Sequence, residues 1–289
     1  MEVVFGTIVP VFAVVAVGWW LAGRPVDAAT LSELALWVTS PALLFSLLSG
    51  TGLDAARMAD LAGGTLAIVA GTALAAAAYV RASDVGRGFL LPAVFFNGGN
   101  MGLACSRLAF GADGLEAAAV PFVVIATFTS LFGIWIAKGE NGLGEALRIP
   151  MIWGAVGGLA LAVTGVTLPR MVMEPIEMLG AMAVPLMLLN LGIQLRGLKV
   201  SDVHHSLVAV GVRMGGGFAV ALAFTTLLGV QGVDRGVLLL MGVMPAAVVN
   251  AVIAERYQTD TGLVASAIVI GTLASLLTIP AVLLLVAAP

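Results

Sequence analysis

Ten stretches of this sequence carry no charged side chain, and each is long enough to cross a bilayer as a helix. They are 3–23, 34–53, 61–80, 88–106, 117–137, 149–169, 178–195, 214–233, 236–254 and 261–289. Nine are 18 to 21 residues long and the tenth is longer; a helix needs about 20 residues to cross about 30 Å of hydrocarbon. None alternates polar with apolar residues at period two, as a barrel strand would. Helices then remain as the way to close every backbone hydrogen bond in lipid. The expected fold is an all-α integral membrane protein with ten transmembrane helices. Composition agrees: 61 % of residues are hydrophobic and 10 % charged, against about 25 % charged in a soluble domain. The fifteen residues after Met1 hold no positive charge, so the first span is expected to be retained rather than cleaved as a signal. A net charge of −3 without a basic run argues against a nucleic-acid partner. The single cysteine, Cys105, allows no internal disulfide and reads as a small packing residue.

Ten spans place both termini on one side. The odd-numbered connections carry Arg24, Arg81, Arg87, Lys138, Arg148, Arg196, Lys199 and Arg256; the even ones carry Arg57, Arg107, Arg170 and Arg235. Positive residues favour the cytoplasm, so both termini are expected outside. Arg213 falls at the edge of the eighth window and reads as a side chain that snorkels toward the odd side. It also has the reach to meet a carboxylate in an inward-open cavity. Trp19 and Trp20 end the first span at the height of an interfacial aromatic belt.

The polar segment Lys138–Arg148 divides the chain into five spans and five: a first repeat over 1–138, a cytoplasmic linker over 139–148 and a second repeat over 149–289. The halves echo each other. Arg87-Gly88-Phe89-Leu90-Leu91 opens the fourth span and Arg235-Gly236-Val237-Leu238-Leu239 the ninth; Gly114 then falls on Gly262 without a gap. Pro41-Ala42-Leu43-Leu44 matches Pro185-Leu186-Met187-Leu188. Because five is odd, the second repeat must enter from the opposite side, which gives the inverted-topology repeat of secondary transporters.

Both corresponding spans are interrupted midway. The fourth contains Phe96-Asn97-Gly98-Gly99-Asn100-Met101-Gly102, rich in poor helix formers. At the aligned place, opposite Asn97, the ninth has Pro245 in Met244-Pro245-Ala246-Ala247. Proline removes one donor and crowds the preceding turn, so alanine at 245 is expected to let the ninth helix close. Paired interruptions at the midplane point to a transporter binding site. Each second half-helix would present its positive N-terminus there. An anion can satisfy the two N-termini; a cation, water or asparagine amides can satisfy the two C-termini. Candidate substrate-binding residues are Asn97, Gly98, Gly99, Asn100, Pro245, Ala246 and Asn250. Asn190 and Ser46, aligned a turn beyond prolines in the seventh and second spans, are candidates from the flanking helices.

Pro10 with Gly18-Trp19-Trp20, Ser40-Pro41-Ala42-Leu43-Leu44, Asn97 through Gly102, and Met244-Pro245 followed by Ala254-Glu255-Arg256-Tyr257 resemble the auxin efflux carrier family, the relatives of the plant PIN-FORMED carriers. The resemblance spans essentially the whole chain and is to bacterial members. It implies a carrier in the inner (plasma) membrane with crossed broken helices. Spans 1, 2, 6 and 7 would form a dimerising scaffold, and spans 3–5 and 8–10 a moving transport domain. It also implies small carboxylates, such as malate or malonate, as substrates. Gly98-Gly99 stands where family members often have proline.

The expected activity is secondary transport of a small mono- or dicarboxylate by alternating access, elevator-like, with possible proton or sodium coupling. The alternatives are a sodium-coupled symporter resembling the bile acid transporter group, with Asn100, Asn250, Thr127 and freed carbonyls as oxygen ligands, and an anion channel. His204-His205 with Asp202 reads as a solvated loop. No nucleophile–base pairing, metal-ligand spacing or cofactor motif supports an enzyme.

Overall fold

The computed structural model describes residues 2–50, 55–139, 148 and 150–287; most of the segment 139–148, expected to be a cytoplasmic linker, lies outside the described residues. The order is α1 (Glu2–Leu21), α2 (Ala28–Leu34), a π turn (Ala35–Thr39), α3 (Ser40–Ser49), α4 (Ala55–Ala82), a 3-10 turn (Arg87–Phe89), α5 (Leu90–Val94), a π turn (Gly98–Leu103), α6 (Ala104–Phe128), a π turn (Thr129–Gly133) and α7 (Ile134–Lys138). After the linker come α8 (Pro150–Thr164), α9 (Arg170–Ala181), α10 (Ala183–Gly197), α11 (Val203–Val210), a π turn (Gly211–Gly216), α12 (Gly217–Leu227), α13 (Gly232–Val243), α14 (Val249–Tyr257) and α15 (Thr261–Ala287). Among the described residues the only strand-like feature is an isolated antiparallel bridge between Phe96 and Ala246.

Seven helices among the described residues are long and apolar enough to cross a membrane: Val3–Leu21, Ala28–Ser49, Ala55–Ala82, Gly98–Lys138, Arg170–Gly197, Val203–Leu227 and Thr261–Val286. The difference from ten uncharged windows has a physical origin. Windows 88–106 and 117–137 share the run Gly98–Lys138, which turns at Gly111 through φ 70°, ψ −149°. Window 236–254 is divided between α13 and α14, of 12 and 9 residues. Window 149–169 yields α8, of 15 residues. Charges mark where a segment leaves the apolar region, but they do not reveal where it breaks inside.

Packing separates the helices into two groups. In one, α1 lies along α10, and α3 lies along α8 and α9. Small residues let these backbones approach, as membrane helices require when burial gives no driving force. A Cβ on Gly18 would collide with the carbonyl of Leu189, and one on Gly192 with the carbonyl of Val15. On the other seam, a Cβ on Gly154 would lie 2.5 Å from the Pro41 oxygen, and one on Gly158 2.7 Å from that of Phe45. In the second group α4, α6, α11, α12, α13 and α15 pack around the two short broken segments. The groups meet mainly where α1 touches α6 and α15, and where α10 touches the π turn Gly98–Leu103.

The connections also sort into two ends. At one end the Arg24 guanidinium stacks over Trp20 and that of Arg196 over Trp19, each 4.6 Å from the ring centre. There the Gly88 N–H also donates to Asp260 Oδ2 (2.8 Å), and the Ser201 N–H to Ser266 Oγ (2.8 Å). At the other end Arg57, before the third window, ties together two distant carboxylates. It donates to Asp234 Oδ1 (2.7 Å) from Nη2 and to Asp234 Oδ2 (2.8 Å) from Nε, and Nη2 also donates to Asp113 Oδ1 (2.6 Å). Odd-numbered connections thus meet odd ones and even meet even.

Candidate binding site at the paired helix breaks

The fourth and ninth windows both leave the helical path, and their breaks are bonded to each other. α5 ends at Val94 and the chain runs extended from Phe95. α13 ends at Val243 and Met244 is extended, φ −62° and ψ 137°. The Asn97 N–H donates to the Pro245 carbonyl (2.8 Å), and the Ala247 N–H donates to the Phe95 carbonyl (3.0 Å). Residues aligned by the internal repeat, Asn97 and Pro245, therefore meet directly. These bonds use main-chain groups that the interruption frees, as a low-dielectric interior demands.

Asn97 caps the second half of its own span. Its Oδ1 accepts the Asn100 N–H (3.1 Å), its carbonyl accepts the Gly102 N–H (3.0 Å), and the residue is 3 % exposed. Its Nδ2 is buried without a hydrogen-bond partner. Asn250, fully buried near the start of α14, donates from Nδ2 to the Phe95 carbonyl (2.9 Å) and so ties the two segments again. Its Oδ1 is left unpartnered.

The glycines play a different part from the one expected. Gly98 and Gly99 do not form the break; they already belong to the π turn that follows Phe95–Asn97. A Cβ on Gly98 would lie 3.1 Å from Ile125 Cγ2, and one on Gly99 2.6 Å from the Phe122 ring. Glycine here lets the start of the second half-helix press against the part of α6 beyond the bend at Gly111. Asn100 is half-buried in the same turn. Pro245 and Ala246 are both buried at the crossing, and the Pro245 Cβ lies 3.2 Å from where a Cβ on Gly271 of α15 would stand.

Asn190 and Ser46 stand on the flanking helices, and Asn190 Oδ1 is buried without a hydrogen-bond partner. Asn190 donates from Nδ2 to Ser32 Oγ (2.8 Å), joining α10 to α2, and the Ser46 hydroxyl donates to the Leu43 carbonyl (3.0 Å) of its own helix. The Thr127 hydroxyl likewise returns to the Val123 carbonyl (2.8 Å). A cavity of about 400 Å³ lined by Leu47, Arg107, Gly111, Ala112 and Leu115 lies where α3 faces the bend at Gly111; no crossing residue lines it.

One residue at the crossing was misread from sequence. Arg213 does not snorkel to the surface. It is 1 % exposed, in the π turn between α11 and α12, with its guanidinium among the broken segments. Nη1 donates to the Val94 carbonyl (2.9 Å) and Nη2 to the Gly242 carbonyl (3.3 Å), while the Phe96 ring centre lies 5.0 Å from Cζ. Thr72 Oγ1 is 3.5 Å from Nη1. The signal was available: apart from two histidines, no other ionisable residue stands between Asp202 and Asp234. Cutting the window at the charge moved a mid-helix residue to the edge.

The expected closure of the ninth helix in Pro245→Ala also needs revision. Re-forming the helix would break the bonds from Asn97, Ala247 and Asn250, each in an apolar setting where an unmade hydrogen bond costs about 1–3 kcal/mol. Pro245→Ala is expected to keep the crossing, with an apparent melting temperature near wild type and ligand affinity changed less than about tenfold. A complete loss of binding in a calorimetric titration would show that the proline ring itself holds the break open.

A chain of apolar spanning helices in which two short interrupted segments cross and bond at their breaks has the build of a membrane transporter. Residues 139–283 match the family described as membrane transport protein. The chain is 30 % identical over 272 residues to an uncharacterized transporter of Methanothermobacter thermautotrophicus, covering 88 % of this chain and 87 % of that one. It is 28 % identical over 203 residues to an uncharacterized transporter of Methanocaldococcus jannaschii, covering 66 % of each. The chain belongs to this family of membrane transporters, that of the auxin efflux carriers.

Proposed function

We propose that the protein is a secondary carrier of a small organic anion, a mono- or dicarboxylate, working by alternating access. The observation that carries this reading is the unpartnered Nδ2 of Asn97, buried where the second half-helix begins at the paired breaks. A helix N-terminus bears about half a positive charge, and an amide donor beside it suits a carboxylate.

In this reading the chain has ten spans in a five-plus-five inverted repeat. The pairing of aligned Asn97 with Pro245, and the meeting of odd with odd and even with even connections, support it. Windows 1, 2, 6 and 7 form a scaffold and a homodimer interface, and the others carry the crossing past it, elevator-like. Two separately packed groups of helices support that division. Both termini lie outside a bacterial plasma membrane in this reading, which the excess of positive residues in the odd connections supports.

The test is a thermal-shift screen of small carboxylates, with and without sodium and at two pH values, followed by uptake of the best binder into proteoliposomes. Saturable uptake competed by unlabelled analogues is expected. Flux that does not saturate would make the protein a channel, and no shift with any carboxylate would overturn the reading. Sodium-dependent uptake would replace it with a symporter.

A further inference from the structure

We propose that Arg213 is a resident counter-cation for the two half-helix C-termini, holding the position that a coupling sodium ion would need, so that the carrier cycles without sodium there. The two first halves, α5 and α13, end at Val94 and Val243, both within reach of Arg213. Helix ends of this kind are negative and leave carbonyls without partners. A cation bound by such carbonyls is one way to stabilise them, and discontinuous transporter helices use their C-terminal ends in this way. Here one guanidinium spans both ends, with Nη1 on the Val94 carbonyl and Nη2 on that of Gly242. The Phe95 carbonyl is taken by the Asn250 amide and the Ala247 N–H. Of the oxygens named for a sodium ion, the Val94, Phe95 and Gly242 carbonyls are engaged by protein donors and the Thr127 hydroxyl points into its own helix, which leaves Asn250 Oδ1 as the buried oxygen without a donor.

The surroundings are shaped to hold the guanidinium. The π turn Gly211–Gly216 carries Arg213; single π turns inside helices are frequent at functional sites. A Cβ on Gly217 would overlap Arg213 Nη2 and stand 2.5 Å from the Gly242 carbonyl, so the missing side chain is the gap that the guanidinium fills. The Phe96 ring covers one face of the cation. Arginine suits this place better than lysine because its planar fork reaches two acceptors at once. An arginine fixed by backbone carbonyls travels with the crossing and cannot be exchanged for an ion from either side.

The experiment uses the purified full-length chain in lipid nanodiscs and contains no organic anion, so it succeeds or fails apart from the proposed substrate class. The meaning of the result for the transport cycle rests on that reading. Melting is measured in sodium chloride and in choline chloride at equal strength, for wild type, Arg213→Lys and Arg213→Ala. Wild type is expected to melt at the same temperature in both salts. Arg213→Ala is expected to melt lower by roughly five degrees or more. Millimolar ethylguanidinium should restore the loss, whereas ethylurea, its neutral isostere, should not. Arg213→Lys should fall between the two. Sodium-specific stabilisation of wild type would overturn the proposal, and so would equal rescue by ethylurea or an Arg213→Ala protein as stable as wild type. If Arg213→Ala cannot be purified, the comparison of salts on wild type and Arg213→Lys decides: stabilisation of either by sodium over choline refutes the resident cation, and its absence in both supports it.

Discussion

Asn97→Ala is expected to weaken carboxylate binding by about ten- to a hundredfold while leaving the chain folded. The side chain makes one bond that matters for structure and leaves one group free. Its Oδ1 caps the turn by accepting the Asn100 N–H, whereas Nδ2 is buried and unpartnered. The backbone bond from Asn97 to Pro245 survives any substitution other than proline. A hydrogen bond from a buried amide to a charged ligand contributes about 1.5–3 kcal/mol, which converts to the stated loss of affinity. Asn97→Asp separates the two roles. It keeps the acceptor for Asn100 but replaces the donor with a negative charge, so binding should vanish with little change in melting temperature. Isothermal titration with the best carboxylate, together with a melting curve for each variant, checks both. If Asn97→Asp bound the anion as well as wild type, the site would have to lie elsewhere.

Gly192→Ala is expected to be the most destabilising single methyl group in the first helix group. The new Cβ would meet the Val15 carbonyl and lie 2.7 Å from the Trp19 nitrogen, both rigid backbone atoms of α1. Flexible side chains can step aside; two helix backbones can only separate. Overpacking of this kind costs about 1–3 kcal/mol and occasionally more. Separation here would also open the reciprocal contact of Gly18 with the Leu189 carbonyl, so the upper end applies. A fall of about ten degrees in apparent melting temperature should result. Gly6→Ala is the comparison: its Cβ meets nothing within 4 Å on the same helix α1, and alanine there should be neutral or slightly stabilising. Equal melting temperatures for the two variants would show that α1 and α10 are not held at this distance.

The parts of this molecule that could be read from its sequence are those set by long-range composition. Uncharged windows gave the apolar helices, and the alignment of the halves brought Asn97 opposite Pro245, the pair that the structure joins. Two things were hidden for distinct reasons. Arg213 was lost because a charge was treated as the end of a span, although an arginine can be buried when helix-end carbonyls receive it. Gly98-Gly99 was read through helix propensity, yet its glycines serve the close approach of Phe122 and Ile125. Asn190 and Ser46 share a sequence register on the flanking helices; Asn190 Nδ2 donates to Ser32 Oγ and the Ser46 hydroxyl to the Leu43 carbonyl.

The two main-chain bonds between Phe95–Asn97 and Pro245–Ala247 limit the kinds of motion open to the molecule. Away from water, parting them would strand a donor and an acceptor at each, and the amide of Asn250 would lose its acceptor as well. A gate that opens by pulling one broken strand from the other would face that whole penalty in every turnover. Translation or rotation of both strands together leaves all three bonds intact and spends its effort on side-chain contacts at the seam with α1 and α10. The crossing is therefore a joint stiffened by its own interruption: each bond left unmade in separating its two segments costs about 1–3 kcal/mol.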